Sequence, residues 1–287
     1  MQLCSWHTYI LCHHAYGIEE DRTLNMLTRE KILKHLSVDC PRIECFELID
    51  STNSFLKREA VDGAPHGSVA AANCQSAGRG RLGRTFQSPA DRGIYLSVLL
   101  RPNLPGEVLM SATGMTAVAV SRAIKRTAGV QVGIKWTNDL ILNGKKLAGI
   151  LAETVVIGQE IALVIGVGVN VHHRREDFAG EVADIATSLA MEGITVNRAE
   201  LAAAMIEELY ALGDALGGDI GAYIEEYRCS CVTLGREVRL VWSEEQKRAQ
   251  ALDIDEKFGL VVRFDDGSVT TVRTGEVSVR GLYGYAE

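Results

Sequence analysis

The chain has little proline (5 residues), few aromatics (6%) and no surplus of basic charge (net −7). With 47% hydrophobic residues, it is neither collagen-like nor disordered. No uninterrupted apolar run approaches the roughly 18 residues that a bilayer span requires, so no membrane association is expected. The acidic balance speaks against a protein-wide nucleic-acid footprint and leaves room only for a local basic patch. No CxxC pair is present, and the seven cysteines are odd in number and scattered. That excludes a disulfide framework, gives no zinc motif, and fits a reducing cytoplasm. Cys12-His13-His14 could be a metal-ligand cluster or part of a solvated tail.

Residues 1–25 show neither a helical nor a strand period and lack the basic n-region of a secretory signal. Met26 opens an amphipathic segment, and we expect residues 1–25 to be a disordered leader ahead of a natural start there. From Ile43 the pattern is mixed α/β. Strands are expected at Ile43–Ile49, Ser68–Ala72, Gly93–Leu100, Val132–Trp136, Leu140–Leu142, Lys146–Thr154 and Ile161–Val171. A helix follows Ser51-Thr52-Asn53, a long one covers Glu107–Ala128, another is opened by Asn197, and Gly218–Cys229 forms the last. Asn143-Gly144 is a hairpin-turn signal. After Cys231 the helical period gives way to five short alternating segments, the pattern of a small antiparallel barrel. The expected domains are therefore 26–231, a mixed sheet backed by helices on one side, and 232–287, a small barrel.

The densest chemical signal is Gly78-Arg79-Gly80-Arg81-Leu82-Gly83-Arg84. It satisfies GxGxxG formally, but Thr85-Phe86-Gln87-Ser88-Pro89 does not start a helix and position 98 is Val, which argues against dinucleotide binding. Gly144-Lys145-Lys146 lacks the upstream glycine and the Ser/Thr of a phosphate-binding P-loop. Three readings of the loop remain. It could be an RGG-like nucleic-acid segment, a solvated surface loop, or a mobile clamp for an anion such as phosphate. The clamp reading rests on repulsion: three guanidiniums so close together need an anion between them, and glycines let backbone N–H groups turn toward it.

Four further segments accompany the loop in order: Asp50-Ser51-Thr52-Asn53, Lys135-Trp136-Thr137-Asn138-Asp139, Lys146-Leu147-Ala148-Gly149-Ile150-Leu151 and Gly166-Val167-Gly168-Val169-Asn170. Together they closely resemble the biotin–protein ligases (biotin–[acetyl-CoA-carboxylase] ligases), from about Ile43 to the C-terminus. The resemblance implies a catalytic domain of the class II aminoacyl-tRNA-synthetase-like kind and a C-terminal barrel of Src-homology-3 type that helps hold ATP or carrier. Phe86 stands where the family often has Trp, and Thr137 where it often has Pro. Regulatory members carry an N-terminal winged helix-turn-helix. Met26–Arg42 has room for one helix, which reads as the short form without DNA binding. Some members dimerise by joining sheets, so a homodimer is possible for this chain too.

The implied reaction activates biotin with ATP to biotinyl-5′-AMP and passes the biotinyl group to a lysine of a biotin carboxyl carrier domain, as in acetyl-CoA carboxylase. By resemblance, Arg81, Arg84 and Lys146 are the catalytic cations. The biotin contacts would be Ser51, Thr52, Asn53, Gln75, Arg79, Gly80, Arg81, Lys146, Gly149 and Leu151, with Val167 lining the slot. Gly78, Arg81, Arg84, Phe86, Asn138, Asp139 and Asn170 would serve ATP, with Asp139 a candidate ligand for Mg²⁺. Each has a plainer reading: Thr52 and Asn53 as helix caps, Lys146 as a hairpin residue, Asp139 as a turn residue. Trp136 reads as a packing residue of the sheet. The competing functions are a lipoate–protein ligase and a biotin-responsive repressor. The polar group set Ser51, Thr52 and Gln75 favours a ureido ring over a dithiolane.

Overall fold

The computed structural model describes residues 26–106, 111–180, 182–242, 245–273 and 278–281. The expected leader, with Cys12-His13-His14, and the first residues of the expected helix at 107 lie outside that set. Helix α1 (Arg29–Leu33) is capped by Thr28, whose hydroxyl accepts from the Lys31 N–H at 3.3 Å. Strand β1 (Ile43–Ile49) leads through helix α2 (Thr52–Val61) to β2 (Ser68–Gln75), which pairs with β1 in parallel. Ser51 is the N-cap of α2, accepting from Ser54 N–H at 3.4 Å. Strand β3 (Gly93–Leu100) is buried at all eight positions, which explains its nearly unbroken apolar sequence. Helix α3 (Ala112–Ala128) ends where Gly129 takes a left-handed φ of 70° and returns its N–H to the Lys125 carbonyl.

Short strands β4 (Gly133–Lys135) and β5 (Asp139–Leu142) precede the long hairpin of β6 (Lys145–Ile157) and β7 (Glu160–Asn170). Asn143 and Gly144 join β5 to β6 with φ of 49° and 76°, the pair of positive values that a two-residue hairpin needs. A short helix, α4 (Val182–Ile185), is followed by α5 (Arg198–Ala215) and α6 (Gly221–Ser230). Asn197 caps α5 by accepting from the N–H groups of Ala199 and Glu200. The seven strands lie in the order β1-β2-β3-β7-β6-β5-β4, antiparallel except for β1 and β2. The sheet is therefore mixed, as expected.

Helices α3, α5 and α6 cover one face, and the main core lies between them and the sheet. The opposite face is not bare. Helix α2 covers one end of it, burying Leu56 and Ala60 against Ala70, Leu99 and Val164. That placement corrects the expectation of helices on one side only. Ser51-Thr52-Asn53 caps and opens α2 beside the uncovered remainder of that face, where the site lies.

The last strands are β8 (Glu237–Trp242), β9 (Glu245–Ile254), β10 (Leu260–Phe264), β11 (Val269–Val272) and β12 (Ser278–Gly281). They form an antiparallel sheet in the linear order β11-β10-β9-β8-β12. Its turn from Asp255 to Gly259 docks on helices α3 and α6 and on Trp136. Asp255 Oδ1 accepts from the Lys257 and Gly259 N–H groups at 2.8 and 2.7 Å, holding Phe258 at φ 59° with 4% exposure. The Phe258 ring meets Tyr227 edge to face at 5.2 Å and lies so close to Gly114 that a side chain there would collide with it. Its carbonyl accepts from Trp136 Nε1 at 2.8 Å. Replacing Phe258 with Ala should destabilise the protein by about 3–5 kcal/mol, the usual cost of deleting a buried aromatic ring. Urea unfolding followed by Trp fluorescence measures this; a loss below about 1 kcal/mol would mean that Phe258 does not anchor the docking.

Candidate active site

Side chains alternate faces along a strand, so register decides which residues share the site. Gly166 and Gly168 of β7 lie opposite Ser97 and Tyr95 of β3 on one side and Leu151 and Gly149 of β6 on the other. All six face the same way; Tyr95, Gly149, Leu151, Gly166 and Gly168 floor a cavity of about 530 Å³, and Ser97 lies beneath Thr52 and Asn53. The two β7 glycines are required there. A Cβ at Gly166 would run into Asn53 Oδ1, and one at Gly168 into the Phe86 ring. A Cβ at Gly149 would come within 3.2 Å of the same ring. The missing side chains thus make the depression that Phe86 and Asn53 partly fill.

One end of the cavity is neutral and polar. Gln75 Oε1 accepts from the Thr52 N–H at 2.9 Å and from its hydroxyl at 3.2 Å, and Gln75 Nε2 donates to Ser88 Oγ at 2.9 Å. Ser97 Oγ lies 2.7 Å from Thr52 Oγ1 and 2.6 Å from Asn53 Oδ1. Asn53 Nδ2 reaches the Leu151 carbonyl at 3.1 Å and Glu153 Oε2 at 3.0 Å. Ser51, Thr52 and Asn53 are almost wholly buried. This is a fixed constellation, because each buried amide and hydroxyl is committed to a partner.

The other end carries charge. Arg81 Nη1 donates to Asn138 Oδ1 at 3.0 Å, and Lys146 Nζ pairs with Asp139 Oδ1 at 2.7 Å. Burial lowers the pKa of Arg81 below the ordinary arginine value, against the opposing pull of Asp139. Asn138 is itself held by Ile150: its Nδ2 donates to the Ile150 carbonyl and its carbonyl accepts from the Ile150 N–H. Asn170 Nδ2 donates to the Thr187 carbonyl at 2.9 Å. Apolar wall comes from Phe86, Val167, Trp136 and Tyr95. Tyr95 donates to the Pro89 carbonyl, and its hydroxyl lies 3.3 Å from His173 Nε2. Burial lowers His173 to about 4, so this imidazole is neutral near pH 7.

The Arg/Gly loop folds back on itself. Gly80 N–H donates to the Arg84 carbonyl at 2.7 Å and Phe86 N–H to the Gly78 carbonyl at 2.9 Å, with a 3₁₀ turn at Arg81–Gly83. Its three guanidiniums are not gathered around one point. Arg79 Nη2 turns to Glu153 Oε1 at 3.4 Å, Arg81 points to Asn138, and Arg84 is exposed. A protein carboxylate and a protein amide thus take two of the three, and the repulsion argument for a three-arginine clamp does not apply to this arrangement.

The cavity lining includes every expected site residue except Gly78. Gly78 lies in the stem of the hairpin, where a side chain would strike the Phe86 carbonyl. Trp136 both packs against the Asp255–Gly259 turn and contributes wall. Asn53 turns out to be more than a cap, since its amide ties α2 to β6 and β3. Sequence motifs did not point to Tyr95, Ser97 or Glu153, and Lys135 was part of a motif without a role assigned to it. For Glu153 the signal was there: it follows Gly149 and Leu151 at the two-residue strand period. Among the described residues no group of three or more His, Cys, Asp or Glu converges as a metal site.

Over 84% of this chain, the backbone superposes with a TM-score of 0.72 on a biotin protein ligase from Aquifex aeolicus in complex with biotin and ATP, at 26% identity and with 99% of that chain covered. The mixed sheet with its glycine-floored cavity is the catalytic fold of the biotin protein ligases. Residues 45–170 match the model of the biotin/lipoate A/B protein ligase family. The biotin–[acetyl-CoA-carboxylase] ligase of Mycobacterium tuberculosis is 33% identical over 237 residues, 79% of this chain and 85% of that protein. The chain belongs to the biotin/lipoate A/B protein ligase family. The bifunctional ligase/repressor BirA of Bacillus spizizenii is 40% identical over 155 residues, 53% of this chain, and the match spans about half (48%) of that protein.

Proposed function

We propose that the protein is an ATP-dependent biotin–protein ligase, which forms biotinyl-5′-AMP and transfers the biotinyl group to a lysine of a biotin carrier domain. The observation that carries this reading is the polarity of one cavity. A neutral hydrogen-bonding end at Ser51, Thr52 and Gln75 faces a cationic end at Arg81 and Lys146. Biotin has the complementary polarity, a ureido ring at one end and a carboxylate at the other, joined by apolar atoms.

In the first step a carboxylate oxygen bonds to the α-phosphorus of ATP as the bond to the pyrophosphate oxygen breaks. Two anions must approach, and charge builds on the phosphoryl oxygens. Arg81 and Lys146, fixed and shielded from water, lower that cost through the field they exert at the reacting centre. Lys146 exchanges Asp139 for the incoming anions, and Arg81 exchanges Asn138. In the second step the lysine amine bonds to the acyl carbon and AMP leaves. Phe86 and the hairpin cover the mixed anhydride against water until then.

Mg²⁺ suits the single carboxylate at the cationic end, because this ion keeps several waters and takes the remaining ligands from phosphates. Asp139 would hold it, and it would neutralise the nucleotide's phosphate charge. The free thiols of Cys40, Cys45, Cys74, Cys229 and Cys231 accord with the cytoplasm, and the acceptor would be the carrier domain of acetyl-CoA carboxylase or a related carboxylase. Among the described residues no helix is long and apolar enough to cross a membrane. The test is ATP-dependent incorporation of labelled biotin into a purified carrier domain, with lipoate and its own carrier in parallel. Incorporation of biotin alone is expected. Incorporation of lipoate alone would move the assignment to the lipoate branch of the family.

A further inference from the structure

Glu153 is not itself in the cavity lining, yet its carboxylate holds two residues that are, Asn53 and Arg79, and also pairs with Lys57 outside the lining. Its Oε1 accepts from Lys57 Nζ at 2.9 Å and pairs with Arg79 Nη2 at 3.4 Å, and its Oε2 accepts from Asn53 Nδ2 at 3.0 Å. The side chain is only 16% exposed. Burial alone would raise its pKa, but hydrogen bonds from Asn53 and Lys57 and the charges of Lys57 and Arg79 hold it below the usual carboxylate value. The group is therefore an ionised, acceptor-only neighbour at neutral pH.

Acceptor-only character fixes the direction of a chain of hydrogen bonds. With the carboxylate and the Leu151 carbonyl on one side, Asn53 must present Nδ2 to both, since the reverse would set oxygen against oxygen, and the carboxylate is the charged, stronger acceptor of the two. Asn53 Oδ1 then faces Ser97, and because it can only accept, the Ser97 proton goes to it across 2.6 Å. The Thr52 proton is left for Ser97 Oγ at 2.7 Å or Gln75 Oε1 at 3.2 Å, both on the protein side. Either way Thr52 Oγ1 offers lone pairs, not a proton, to the cavity it lines.

We propose that Glu153 is a positioning residue that, through Asn53 and Ser97, sets the Thr52 hydroxyl as an acceptor for a ligand N–H and so biases the pocket toward a ureido ring. The inference rests on the biotin reading for its ligand. The polarity of the relay itself can be read without any ligand. A dithiolane has no N–H to satisfy such an acceptor, and an unpaired buried polar group is costly.

The experiment compares wild type with Glu153→Gln, Ser97→Ala, the double variant and Lys57→Met. Glu153→Gln keeps the shape but can donate as well as accept, so the Asn53 orientation loses its charged anchor and is left to the neutral Leu151 carbonyl at 3.1 Å. Its KM for biotin should rise about tenfold, the scale of one charge-assisted hydrogen bond, with KM for ATP and kcat at saturating biotin within about twofold. Ser97→Ala should raise the same constant, and the double variant should be no worse than the worse single change. Lys57→Met, which removes a partner of Glu153 but no link of the relay, should leave the biotin KM unchanged. In the ligand-free protein, the Asn53 side-chain amide NMR resonance should shift in Glu153→Gln and stay in place in Lys57→Met. An unmoved Asn53 resonance, an unchanged biotin KM, or an equal rise in the KM values of biotin and ATP overturns the proposal. If the wild type neither binds nor uses biotin, the biotin reading has failed, and the Asn53 resonance still decides on the relay.

Discussion

Replacing Arg81 with Met is expected to slow biotinyl-adenylate formation about 100-fold while leaving the fold intact. The magnitude follows from the worth of one preorganised donor at a developing charge, about 3 kcal/mol, at about 1.4 kcal/mol per factor of ten. The fold should survive because Asn138, the present partner of Arg81, keeps both of its bonds to Ile150. Desolvation makes the buried guanidinium a burden on the ligand-free protein, as its lowered pKa indicates. Its removal should leave Tm unchanged or slightly raised. Biotin-dependent pyrophosphate exchange and a thermal scan on one preparation check both halves. Full activity in Arg81→Met would remove this side chain from the chemistry. A collapsed Tm would make its role structural.

The second large effect is expected at Lys146. Lys146→Met should lower kcat/KM for the activation step by about 100- to 1,000-fold, since it deletes the other fixed cation. Unlike Arg81, Lys146 is paired in an ion pair whose side chains are 23% and 13% exposed. Its loss leaves the Asp139 carboxylate without that partner, so some loss of stability should accompany the loss of rate. The double replacement Lys146→Met with Asp139→Asn separates the two. Stability should return because no carboxylate is left without its cation, and activity should not. Recovery of activity in the double variant would mean that Lys146 only neutralises Asp139.

Much of this arrangement was legible before any coordinates. The apolar run Gly93–Leu100 has no polar alternation, which marks a strand covered on both faces, and it is the interior strand β3. Asn143-Gly144 fixed a hairpin through its two positive φ values. The five short segments after Cys231 are five strands. What escaped was long-range. Nothing local tells that α2 sits on the opposite face from α3 and α5, because the choice depends on the crossover from β1 to β2. The directions of Arg79 and Arg81 were equally hidden. Crowded arginines suggested a shared external anion, whereas Glu153, on a strand remote in sequence, supplies the carboxylate for Arg79. Phe258 was invisible for a similar reason: a lone aromatic in a polar turn carries no period, and its role depends on the space left by Gly114.

Within the site, side-chain types located the cations and the polar end, and strand register added the residues beneath them. Gly166 and Gly168 could have suggested a flexible segment. They are instead bare rungs of a regular strand, kept small by Asn53 and Phe86 above them. Glu153 could have been found by continuing the alternation from Gly149 through Leu151, had the motif not been read as ending there.

The account rests on one cavity recognising a ureido ring at one end and activating a carboxylate at the other. Pyrophosphate exchange into ATP, measured with biotin, lipoate or neither, tests this most directly. Exchange that requires biotin and is absent with lipoate is the expected result. Exchange supported by lipoate, or none with biotin in a well-folded preparation, would contradict it.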